Sequence, residues 1–183
     1  MGKVYEELSE QQQEWIKQQR IFFVATAPLS EDGHVNVSPK GLDTFRIINE
    51  TTVAYLDLTG SGIETIAHVK ENGRITIMFC AFDGPPKILR LYGKGIALTT
   101  TENPTEYNRL LPQFKWHNGG RAIIKLNITR IADSCGYSIP LFDFKDDRDV
   151  LDKWTSHKGS DGLIEYRQLK NKMSIDNLDG LTS

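Results

Sequence analysis

The residues best suited to chemistry lie between Leu58 and His68, where the chain reads Leu-Thr-Gly-Ser-Gly-Ile-Glu-Thr-Ile-Ala-His. They follow an apolar, β-prone run (Thr52 to Leu58) and precede a short helical pattern closed by Asn72-Gly73. A strand that stops in a Gly/Ser/Thr loop and turns into a helix gathers free backbone N–H groups at one point, and the helix dipole adds partial positive charge there. Such a point suits an anion, most often a phosphate. The same residues also have a purely structural reading. Ser61-Gly62-Ile63-Glu64 has the form of a capping box, with Ser61 as N-cap and Glu64 reaching back to its amide. The loop lacks the third glycine of a Rossmann fingerprint and the Gly-Lys-Ser/Thr of a P-loop. No Ser-His-Asp, Cys-His or metal-ligand constellation is legible, so no metal is expected and chemistry would come from a bound phosphorylated cofactor.

The elements that must position this loop follow from periodicity and turn residues. Val4–Gln19 reads as an amphipathic helix with Leu8, Trp15 and Ile16 on one face. Ile21–Ala27 reads as a buried strand, joined by the Glu31-Asp32-Gly33 turn to the alternating Val35–Lys40. Phe45–Ile48 and Thr52–Leu58 pair around Asn49-Glu50, and Ser61–Lys70 is the helix. Arg74–Phe82, Ile88–Thr99 and Ala122–Ile131 are strands, and Pro104–Leu111 is a short helix. A C-terminal helical region, about 147–172, divides into Val150–His157 and Gly162–Lys172 at Lys158-Gly159 and is followed by a tail. Six or seven hairpin-spaced strands interrupted by single helices predict a mainly β fold, an antiparallel barrel with peripheral helices. Gly93 and Gly95 inside a strand suggest a barrel corner or a close ligand approach.

The bulk properties set bounds. A chain of 183 residues fits a single domain, 1–183, able to bury a full core. A net charge of −2 and an absence of clustered basic residues argue against nucleic acid. No apolar run approaches the roughly 20 residues of a membrane span, and the polar N-terminus does not read as a signal peptide. Cys80, in an apolar strand, and Cys135 do not form a disulfide framework, so a reduced, cytoplasmic setting is expected.

Five segments in order carry a resemblance: Val35–Gly41, Leu58–His68, Lys87–Gly95, Ser134–Pro140 and Ser174–Leu181. Over about Gln19–Leu181 the chain resembles the pyridoxamine 5′-phosphate oxidase-like, FMN-binding split-barrel family, in a bacterial and fungal branch rather than the vitamin oxidase itself. The resemblance implies a homodimer with FMN at the subunit interface. It places Val37, Ser38, Pro39 and Lys40 beside the flavin, and Thr59, Gly60, Ser61, Gly62 and Thr65 near the phosphate and ribityl chain. Arg90 would point toward the same pocket, and the partner subunit would bring Cys135, Gly136 and Tyr137 near the ring. The departures matter equally. Glu64-Thr65 stands where the vitamin oxidase has an Arg-Lys pair, Val35 where it has Arg, and Ser138-Ile139-Pro140 where it has the substrate-phosphate Arg-x-His. They argue against pyridoxamine phosphate as substrate and leave FAD or a deazaflavin as alternatives to FMN. The implied activity is hydride or electron transfer with an unknown small substrate; the alternative is a non-catalytic flavin carrier, store or redox-responsive module. Individual residues keep plainer readings beside these: Lys40 as a solvated lysine, Arg90 in a cross-strand ion pair, His68 as an ordinary polar residue, Cys135 as interface packing. Trp116-His117 could stack on a ring or form a simple loop, and Asp146, Asp147 and Asp149 read as a solvated helix start.

Overall fold

The computed structural model describes residues 2–181. Its frame is one antiparallel sheet of eight strands among the described residues. They are β1 (Val4–Tyr5), β2 (Phe22–Thr26), β3 (Asn36–Lys40), β4 (Phe45–Asn49), β5 (Thr52–Leu58), β6 (Arg74–Cys80), β7 (Ile88–Leu98) and β8 (Gly120–Ser134). The order across the sheet is β3-β2-β6-β7-β8-β5-β4, with β1 added beside β8. The end strands β3 and β4 share no ladder, which leaves a split in the curled sheet. Four α-helices decorate it: α1 (Glu10–Lys17), α2 (Glu64–Glu71), α3 (Pro104–Leu110) and α4 (Val150–Lys170).

The inner face of the sheet closes on an aromatic knot, in which Phe22 meets Phe45 and Tyr55 edge-on with ring centroids 5.1 and 5.4 Å apart. A second cluster, built on Ala54, Leu56, Leu98, Tyr107, Leu110, Phe114 and Ile123, forms under α3. Strands β5 and β8 are therefore covered on both faces, which is why Ala122-Ile123-Ile124 and Val53–Leu56 are continuously apolar rather than alternating. Gly93 and Gly95 allow close approach of protein rather than ligand. A Cβ on Gly93 would lie 2.0 Å from the Asn127 carbonyl oxygen, and one on Gly95 would lie 2.9 Å from Val69 Cγ1.

Two expectations are corrected. The predicted helix over Val4–Gln19 is shorter, because Val4 and Tyr5 pair with Ala132 and Ile131. Asp133 fixes that pairing by accepting from Lys3 N at 2.6 Å and from the Tyr5 hydroxyl at 2.8 Å. The helix begins only at Glu10, where Ser9 and Gln12 make a reciprocal capping box. The second correction is at α2, where no Ser61–Glu64 capping box forms. Ile63 takes the N-cap position and no side chain accepts from the first turn. The break expected at Lys158-Gly159 is present, with Gly159 at φ 65°, ψ 177° inside α4.

Candidate functional site

At the split between β3 and the β5–α2 corner lies a cavity of about 130 Å³, lined by Asn36, Ser38, Lys40, Leu58, Gly60, Gly62, Ile63, Glu64, Thr65 and Arg121. Strand alternation aims it: Asn36, Ser38 and Lys40 pair with Thr26, Val24 and Phe22, whose side chains are buried, so all three lie on the inner face. Beneath the cavity sits Asp57, 1% exposed. Its two oxygens meet Lys40 Nζ at 3.0 Å and Arg121 Nε at 2.7 Å. A register shift in the β5–β8 ladder creates this contact. Asp57 pairs with Ala122 and Leu58 with Gly120, so Arg121 is the extra residue of a bulge. Burial alone would push the Asp57 carboxyl up, but Arg121 and Lys40 hold it below the ordinary carboxylate range. Asp57 is thus ionised, and the formal charges of the trio sum to +1.

The C-terminal segment clamps the loop from above. Asn171, fully buried, donates to the Gly60 carbonyl at 2.9 Å and accepts from Arg121 Nη1 at 2.9 Å. Lys70 Nζ donates to the Gly180 carbonyl at 2.7 Å. Glu64 folds over Gly62, and its Oε1 accepts from Ile175 N at 3.4 Å, which leaves a carboxylate on the cavity wall. The first-turn N–H groups of α2, the Ser38 and Thr65 hydroxyls and the cationic trio make this a place for the end of an anion.

The structure brings Ser38, Lys40, Gly60, Gly62 and Thr65 together on this cavity. Thr59 is buried and already engaged, its hydroxyl donating to the Gly119 carbonyl at 2.8 Å and accepting from Arg167 Nε at 2.9 Å. Ser61 is exposed at the loop tip, and Val37 and Pro39 face outward on β3. Arg90 lies on the sheet face opposite the buried Leu89 and Leu91 and donates to the Ser134 hydroxyl at 3.1 Å, so it does not line the cavity of its own chain. Cys135 and Tyr137 are exposed just beyond β8, with buried Gly136 against Lys87. His68 turns away from the cavity into the core, where Nδ1 lies 3.0 Å from the Thr26 hydroxyl and Nε2 has no partner. Sequence reasoning missed Asp57, Arg121, Asn36 and Asn171. Asp57 did carry a signal: a lone carboxylate in an otherwise apolar strand needs buried cationic partners.

Residues 8–135 match the pyridoxamine 5′-phosphate oxidase family. The chain is 39% identical over 196 residues to the pyridoxamine 5′-phosphate oxidase family protein ustO of Aspergillus flavus, covering 98% of this chain and 78% of that protein. Among solved structures it is similar in fold to a variant of HupZ from Group A Streptococcus, with a TM-score of 0.53 and 21% identity over 69% of this chain and 99% of the other. It is similarly related to a Lactobacillus delbrueckii protein described as a candidate pyridoxamine 5′-phosphate oxidase, with a TM-score of 0.52 and 17% identity over 69% and 94% of the two chains. The split antiparallel barrel and the sequence match agree, and the chain belongs to the pyridoxamine 5′-phosphate oxidase family.

Proposed function

We propose that the protein binds a flavin nucleotide, FMN in preference to FAD or a deazaflavin, and moves hydride or electrons between it and a small substrate. The observation that carries the reading is the cavity at the split, where Lys40, Arg121 and the uncapped start of α2 converge in a member of this family. The residues fit the phosphate end of a flavin nucleotide. Gly60 leaves open space for close backbone approach, Asn36 bridges the Ser38 and Thr65 hydroxyls along the wall, and the Lys40–Asp57–Arg121 trio supplies one net positive charge. Asp57 fixes both cations in place, while Asn171 ties Arg121 to the Gly60 carbonyl. A bound flavin would supply hydride or single-electron chemistry at its ring.

At about 130 Å³ the cavity is smaller than the roughly 300 Å³ at which ligand pockets begin, so the ring must lie outside it. A second copy of the chain would cover the ring and bring Cys135, Gly136 and Tyr137, which is the homodimer in this reading. Both cysteines are free thiols, in keeping with a cytoplasmic setting. The non-catalytic alternative has one observation in its favour: Asp57 is locked as an ion and His68 is sealed in the core, so neither offers a mobile proton to a substrate.

Purified protein titrated with FMN and with FAD, then desalted, should keep a flavin absorption spectrum. Lys40→Ala should weaken binding by about 1.5–3 kcal/mol, roughly 10- to 150-fold. A colourless protein that retains neither flavin sinks the reading. Retained flavin that no donor reduces would select the carrier alternative over the oxidoreductase.

A further inference from the structure

A second, larger cavity of about 310 Å³ lies where α4 crosses the 115–120 loop and the apolar cluster under α3. Leu56, Tyr107, Leu111, Leu163 and Ile164 give it an apolar floor, and Trp116, 75% exposed, stands at its edge. Its charged lining is cationic, comprising Lys115 and Arg167, and no carboxylate lines it. Arg167 is half-buried and held by two fixed bonds, Nε to the Thr59 hydroxyl at 2.9 Å and Nη2 to the Gly120 carbonyl at 3.0 Å. Its Nη1 donates to nothing among the described residues. Burial and then the nearby Arg121 depress its proton affinity, with the Tyr107 phenol opposing them. Nη1 is therefore the guanidinium nitrogen open to a ligand's oxygen.

His117 forms part of the cavity wall. Its Nδ1 accepts from Gly119 N at 2.9 Å, which puts the ring proton on Nε2. That nitrogen lies 2.9 Å from Asp152 Oδ1, so His117 is paired with a largely exposed carboxylate and Arg167 is the cation left for a ligand. The cavity volume reaches the lower end of the range typical of small-ligand sites.

We propose that this cavity is a ligand site distinct from the flavin cavity, taking a small organic anion: a carboxylate against Arg167 with a planar apolar body over Tyr107 and Leu163. The site does not depend on the flavin reading. It touches the flavin loop through the Arg167–Thr59 bond, so its occupant is placed to sense that loop.

The test is titration of the protein with benzoate and with its neutral analogue benzamide, followed by heat and by tryptophan emission. Benzoate should bind saturably and at least tenfold tighter than benzamide. Arg167→Met should remove that preference by weakening benzoate alone. Ser160→Trp, on the exposed side of α4 at the cavity edge, should block both ligands, and it carries the test if Arg167→Met does not fold. Lys40→Ala, in the other cavity, should leave benzoate affinity unchanged. Equal affinity for the two ligands, benzoate binding that survives Ser160→Trp, or a tenfold loss in Lys40→Ala would each overturn the proposal.

Discussion

The cavity at the start of α2 and the cavity under α4 border one another at the pairing of Thr59 with Gly119, yet they treat charge in opposite ways. In the first, two cations share one buried carboxylate, and a second carboxylate, Glu64, sits on the wall. In the second, Arg167 and Lys115 line the space with no acid among the lining residues. The first is therefore prebuilt, with its cations fixed whether or not a ligand is present and only a small net charge to offer. The second is incomplete, and its arginine rests on a hydroxyl and a carbonyl. Glu64 on the wall weakens the anion pull of the first cavity, while Asp57 keeps its geometry.

The largest effect that could break this contrast is on stability. Asp57→Asn removes the only acid between Lys40 and Arg121, the latter with its side chain just 6% exposed. Breaking a buried pair from one side typically costs about 3–5 kcal/mol. Arg167→Met removes two bonds from a charged donor and also relieves an unpaired charge, so its cost should stay below roughly 3 kcal/mol. Urea unfolding at neutral pH measures both. Equal losses would mean that Arg167 is as firmly partnered as Asp57, and the distinction between a prebuilt and an incomplete cavity would fall.

The difference between the cavities also marks what the sequence can reveal. Strands β2, β3, β6 and β7 are legible within a residue or two, because their apolar runs and flanking turn residues are local signals. Ser38, Lys40, Gly60, Gly62 and Thr65 are singled out by the family resemblance, in two short motifs on adjoining elements that the structure brings to one cavity. Arg121 is not, since its aim depends on which residue of β8 the bulge leaves unpaired opposite Asp57, a matter of register between strands some 60 residues apart. Asn171 and Arg167 reach the loop from a helix more than 100 residues away in sequence. Strand β1 was hidden for a related reason: its two residues follow β8 rather than their own periodicity. The cavity under α4 needs the loop, the helix and the apolar cluster packed together, and Trp116-His117 alone offers only an ambiguous hint.

A smaller effect sharpens the electrostatic side. Glu64→Gln should tighten FMN binding by up to about 1 kcal/mol, the size of an interaction between partly exposed charges. Titration at low and at high salt should show the gain shrinking as screening increases. Benzoate binding in the other cavity should not change. Weaker FMN binding in Glu64→Gln would mean that the carboxylate serves the site by holding Ile175 and the tail, and that its charge is secondary.

The smallest effect concerns His68, whose Nε2 has no hydrogen-bond partner. His68, fully buried behind Thr26 and Asn36, has its proton affinity lowered by burial, with Asp176, Glu64 and Glu71 opposing the shift only in part. The unfolded chain takes up a proton near the ordinary histidine value of about 6.5, whereas the folded chain resists until a lower pH. Folding stability must therefore fall as pH drops from about 6.5 toward the lowered folded value, and level off below it. The depressed carboxyls of Asp57 and Asp133 act in a separate window, losing their contribution only as pH falls below the ordinary carboxylate range. His68→Gln should flatten the first slope and leave the second. Unfolding free energies measured from pH 7.5 down to 5.5 decide it. Parallel profiles for the two proteins would show that the wall behind the cavity at the start of α2 opens enough to let His68 charge, and that this cavity is less rigid than its ion-paired floor implies.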